Sequence, residues 1–180
     1  TQVYPGTVAF PLVSFSLFLL SRDQCRWPSG LAFGAAVGLL MALHVKFYPL
    51  AGFLGVAGLA MLRDSRARLA IVCGSTAVAL LNLAWLHHLY GSWLPWAPYS
   101  SLASHSEGGN LLPGMATYLF DLQYGVVPAA PCWLAFFAGV VYAFKHADGL
   151  SKKLLLVCIG ATMLHLGVIA KQPIWVLGWS

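Results

Sequence analysis

Of the 180 residues, 59% are hydrophobic and only 8% charged, with a formal net charge of +5 and a mean hydropathy of +0.77. An ordinary soluble domain is about one quarter charged, so this composition cannot supply a water-soluble surface. The basic excess lies on no aromatic-interleaved soluble surface, which excludes nucleic acid as a partner.

Hydropathy predicts an all-α, polytopic transmembrane helical bundle of about six spans, a single membrane domain over 1–180. The spans fall near residues 7–21, 29–43, 47–62, 69–90, 126–144 and 154–170. Three connections hold eight of the ten Lys and Arg residues: Arg22 and Arg26, then Arg63, Arg66 and Arg68, then Lys145, Lys152 and Lys153. Placing those loops on the cytoplasmic side makes all six spans alternate, and the net charge then reports orientation. The chain begins at Thr1 without Met and stops after an apolar aromatic run, so it is expected to be a fragment of a longer protein.

In chain order, the second span carries Gly30, Gly34 and Gly38 at four-residue spacing and the third carries Gly52, Gly55 and Gly58. These stripes predict close helix approach. Between them, the turn HVKFYP joins two short spans. Fifteen helical residues reach roughly 22 Å, less than the roughly 30 Å of hydrocarbon, so the turn is expected below the outer surface. A cation there must face a wet cavity or an anion, or snorkel to the interface, which makes Lys46 with His44 the first candidate site.

On the fourth span, Ser75 and Asn82 share a face and are expected to form interhelical hydrogen bonds. His87 and His88 end that span; adjacent side chains point about 100° apart, a poor chelating geometry, so interfacial anchoring is expected. The outer-face loop over 91–125 is rich in Trp, Tyr, Pro, Gly and Ser, with a short surface helix predicted over 111–122. It holds Glu107 and Asp121, the only outer-side acids. Asp121, beside Gln123 and Tyr124, is the better placed as a base; a capping hydrogen bond is its alternative role. Cys25, Cys73, Cys132 and Cys158 are scattered without a CxxC pair and read as packing residues.

Taken in order, Tyr4 and Pro5, HVKFYP, HHLYGSWLPWAPY, LFDLQYGVVPAAP and the closing WVLGWS resemble bacterial membrane glycosyltransferases of the C superfamily. These polytopic enzymes take sugars from polyprenyl-phosphate carriers at the outer face of the plasma membrane. The resemblance covers nearly the whole chain and matches the middle and later spans of such proteins. It implies a polyprenyl-phosphate sugar donor and membrane lipid as partners. Lys46 and His44 would lie near the donor or acceptor cavity, with Asp121, Gln123 and Tyr124 where the outer loop folds back over it, and Lys171 as a second cation for phosphate. The family's catalytic acid belongs to a first outer loop upstream of this chain. The fragment alone is therefore expected to be inactive; no cofactor is implied and the metal requirement is open. Gly6 and Leu122 stand where relatives often carry an acid and a base. A transporter or flippase and a noncatalytic assembly subunit are the alternatives, although no span holds an acid to couple ions.

Overall fold

The computed structural model describes residues 5–22, 26–94, 115–116 and 132–170. Among them are six α-helices longer than two turns and no strand. The chain divides into two compact units, Thr1–Ser101 and Leu102–Ser180, and each is described by itself.

The first unit contains α1 (Pro5–Leu20), α2 (Trp27–Leu43), a single 3₁₀ turn (Val45–Phe47), α3 (Tyr48–Met61) and α4 (Ser65–Tyr90). Prolines mark two starts: Pro28 and Pro49 each lie in the first turn of a helix, where a missing N–H is harmless. Asp64 caps α4 by accepting from the Arg66 amide at 3.1 Å. The same helix ends at Gly91, whose φ of 67° is the left-handed conformation that glycine adopts without strain. Pro11 sits inside α1 and withholds one backbone donor there.

The core forms around α2. Phe33, Leu40, Ala51, Leu54 and Ile71 are fully or almost fully buried, drawn from α2, α3 and α4. The glycine stripe on α2 sets the closest approach, and its partner is α4. A Cβ on Gly30 would stand 2.5 Å from the Ala67 carbonyl oxygen, and one on Gly34 would overlap the Ile71 carbonyl oxygen. From the other side, a Cβ on Gly74 would come within 2.7 Å of the Leu31 carbonyl oxygen. Two backbones in this contact gain packing that any side chain would prevent.

The α3 glycines behave differently. Gly58 lies under the Phe33 ring, Gly55 makes ordinary contact with Val37, and Gly52 meets nothing within 4 Å. The expected interhelical bond of Ser75 is also replaced. Its hydroxyl donates within α4, to the carbonyls of Ile71 (2.9 Å) and Val72 (3.1 Å), because these are the acceptors within reach of a helical serine.

The second unit contains α5 (Cys132–His146) and α6 (Gly149–Ala170), two helices packed together across a two-residue connection. Asp148 caps α6, accepting from the Ser151 amide at 2.9 Å. The Ser151 hydroxyl, then its amide, holds the Asp148 carboxyl below the usual carboxylate range. Met115 and Ala116 are helical; the rest of the predicted surface helix over 111–122 lies outside the described residues.

Two helices are long and apolar enough to cross a membrane, Ser65–Tyr90 and Gly149–Val168. Only 17% and 11% of their most apolar stretches are buried within the protein, whereas the core helix of a soluble domain is mostly covered. On α4 the outward side chains include Leu69, Leu80, Leu81, Trp85 and Leu89, all more than half exposed. An apolar face of that extent marks a surface that meets lipid or another protein. By this length measure α1, α2 and α3, at 16, 17 and 14 residues, fall short of spanning alone.

Candidate functional site

The site follows from the register of α2 on α4. Gly30 meets Ala67, Gly34 meets Ile71 and Gly38 meets Val78, so the two helices run parallel with an offset of 37 to 40 residues. Residue numbers on α3 fall as those on α2 rise, Gly58 against Phe33 and Gly55 against Val37, so α3 is antiparallel. The starts of α2 and α4 are therefore nearly level, while their ends are not. Leu43, the last residue of α2, is level with about Leu80–Leu83, and α4 runs on for seven to ten residues, roughly 10–15 Å. The connection between α2 and α3 is recessed by that amount below the top of α4.

That connection holds His44 and Lys46. His44 ends α2 in extended conformation (φ −172°, ψ 146°), which turns the chain out of the helix. The Lys46 amide then donates to His44 Nδ1 at 3.2 Å, and the Phe47 amide donates to the His44 carbonyl at 2.9 Å. Because Nδ1 accepts a hydrogen bond, the neutral ring carries its proton on Nε2. Burial, and then the Lys46 charge, push the His44 pKa below its ordinary value and keep the ring neutral.

Phe47 anchors the turn with a side chain only 2% exposed. The Lys46 ammonium stands over the Phe47 ring, 5.4 Å from its centroid, an electrostatic attraction that strengthens as water is withdrawn. Among the described residues no carboxylate forms an ion pair with Lys46. A half-buried lysine whose ammonium lies over an aromatic face is suited to receive an anion.

Asp121, Gln123, Tyr124 and Lys171 lie outside the described residues. Of the six predicted site residues, His44 and Lys46 are therefore brought together by the fold, one hydrogen bond apart. The Phe47 ring was not anticipated; an aromatic residue directly after the lysine was the available signal.

At the top of α4 the histidine pair diverges. His87 stacks on Trp93 (4.2 Å between centroids, 11° between planes), and His88 lies tilted beside Trp85 at 6.1 Å. Each ring thus sits against a different tryptophan, the composition of an interfacial aromatic belt. Cys73 is exposed on α4 and Cys158 half-buried on α6, both as free thiols. Cys73 accordingly faces outward instead of packing in the core.

No protein-family model matches the chain, and no curated protein or solved structure matches it.

Proposed function

We propose that this chain is part of a multi-pass membrane glycosyltransferase of the bacterial plasma membrane and that the His44–Lys46 turn holds the phosphate of a polyprenyl-phosphate sugar donor. The observation that carries this reading is the recessed ammonium of Lys46. With Arg26 and Asp64 at one interface, the 17 residues of α2 rise about 26 Å. That length brings Lys46 just inside a hydrocarbon layer roughly 30 Å thick. A cation at that depth is costly unless it meets an anion, and the phosphate of a membrane-embedded carrier arrives at the same depth. All six helices cross the membrane in this reading, with α1, α2 and α3 relying on thinned or wet surroundings at their ends.

In the reaction, the acceptor hydroxyl oxygen bonds to the anomeric carbon as the bond from that carbon to the phosphate oxygen breaks. The hydroxyl proton goes to a carboxylate supplied from outside this chain, and polyprenyl phosphate leaves. Lys46 stabilises the charge that grows on the departing phosphate. By the family resemblance alone, Gln123, Tyr124 and Lys171 are further candidates for phosphate contact and Asp121 for a secondary acid.

The test uses the full-length protein in detergent with a polyprenyl-phosphate sugar. Sugar transfer is expected, and Lys46→Ala should weaken carrier binding about 10- to 100-fold, the worth of one charge-assisted hydrogen bond. Full retention of binding and turnover would remove Lys46 from the site. Vectorial movement of lipid-linked sugar in sealed vesicles without transfer would favour a flippase, and neither activity would favour an assembly subunit.

A further inference from the structure

The parallel pairing of α2 with α4 brings the loops that precede them side by side. Gly30 touches Ala67, so Arg26, one turn before Gly30, and Arg63, one turn before Ala67, stand at the same end of the unit. Arg22 and Arg26 from one loop thus join Arg63, Arg66 and Arg68 from the other, and all five are exposed. Asp64 is the described acid within this group, and its carboxylate is engaged in capping α4. Among the described residues no ion pair neutralises any of the five. Two of them are held by local contacts: Arg22 stands 4.7 Å above the Phe18 ring, and Arg68 Nε donates to the Leu62 carbonyl at 2.6 Å. Arg26, Arg63 and Arg66 show no such side-chain restraint. Trp27, 60% exposed, borders the cluster with a side chain suited to the headgroup region.

We infer that this five-arginine end is a binding surface for anionic phospholipid, with headgroup phosphates bridging Arg22 and Arg26 to Arg63 and Arg66 and with Trp27 inserted beside them. Guanidinium groups pair with phosphate through two parallel hydrogen bonds, which distinguishes this cluster from a diffuse positive charge. Acidic lipid is the partner of matching chemistry at a membrane surface, and the exposed apolar helices place the cluster there. The inference rests on the packing of the first unit and is independent of the transferase reading.

The experiment uses the purified protein in neutral mixed micelles and follows energy transfer from tryptophan to dansyl-labelled phosphatidylglycerol. Unlabelled phosphatidylglycerol and phosphatidylcholine serve as competitors. Wild type should be competed at least tenfold better by phosphatidylglycerol. The double substitution Arg63→Gln and Arg66→Gln, which spares the Phe18 and Leu62 contacts, should remove most of that preference, at about fivefold per charge. Lys152→Gln with Lys153→Gln, on α6, should leave most of it in place. Raising salt from 0.1 to 1 M should also collapse the wild-type preference, a readout that needs no variant to fold. Equal competition by the two lipids in wild type, or a preference that survives both the arginine substitutions and high salt, would overturn the inference. So would loss with the lysine pair alone.

Discussion

Substituting Gly34 by Ala inserts one methyl group where the Ile71 carbonyl oxygen already lies. Nothing flexible can yield, because the obstacle is backbone, so α2 and α4 must separate by about 1 Å to restore van der Waals distance. A gap of that size forfeits a quarter to a half of the attraction between facing atoms, each pair being worth about 0.1–0.2 kcal/mol. Over roughly 20 to 30 facing pairs the loss is about 0.5–3 kcal/mol, offset in part by the helix preference of alanine over glycine, about 0.5–1 kcal/mol. Gly52→Ala is the matched control: it lies in α3 with nothing within 4 Å of the added carbon. Alanine is the better helix former by about 0.5–1 kcal/mol, so that variant should equal or exceed wild type. Thermal unfolding of the purified protein in mild detergent, followed by circular dichroism, compares the two. Gly34→Ala is expected to lower the midpoint by several degrees and Gly52→Ala to leave it or raise it. Equal midpoints for both variants would refute the claim that backbone contact between α2 and α4 holds the first unit together.

Asp64→Ala removes the α4 cap and should cost about 1 kcal/mol in the same melt, whereas Asp64→Asn, which still accepts from the Arg66 amide, should recover most of it. Because the folded pKa of His44 lies below the ordinary 6.5, the unfolded chain binds more protons in that window. Its stability contribution is complete above pH 6.5 and is lost as the pH falls through the folded value. His44→Asn keeps an acceptor for the Lys46 amide and should flatten that part of the pH profile; an unchanged profile would exclude His44 as its source. In a Cys-free background, Lys46→Cys should react more slowly with a bulky impermeant maleimide than Tyr90→Cys, and equal rates would contradict a recessed turn. For orientation, Ser106→Cys should label in intact cells and Ser65→Cys only after lysis; the reverse would invert the topology.

Hydropathy located the apolar segments because helices of this kind are set by long runs of aliphatic residues, but the helices themselves extend beyond two of the apolar runs at their starts. The helix that carries the apolar run from 69 starts at Ser65, and the one that carries the run from 154 starts at Gly149. In both, the first turn is charged, Arg66 and Arg68 or Lys152 and Lys153, so an average over apolarity excludes it. The caps at Asp64 and Asp148 were the legible signal. The glycine stripe was also legible as a seam, although its partner was not. Neighbours in sequence suggested α3, whereas the small residues Ala67, Ala70 and Gly74 on α4 accept the closest approach. Lys46 could be singled out because a cation is rare in so apolar a stretch. Its support by the Phe47 ring and the His44 acceptor depends on the 3₁₀ geometry of the turn, which periodicity does not encode.

One packing seam therefore governs two features at opposite ends of the first unit. Because α2 and α4 begin level and run parallel, their difference in length, 17 residues against 26, is expressed entirely at one end. At the level end five arginines gather. At the other end the deficit sets the depth of Lys46, since the turn can rise no higher than α2 carries it. Phe47 then ties the turn to the core that the seam creates, with Leu40, Leu50 and Leu54 also buried in it. A change at Gly34 is thus expected to act on Lys46 without touching it: if the seam opens, α2 is free to slide along α4, and the depth of the ammonium is no longer fixed. In the proposed function depth decides whether an anion must meet that charge, so on that reading the contact between the two backbones determines the site as much as the lysine does.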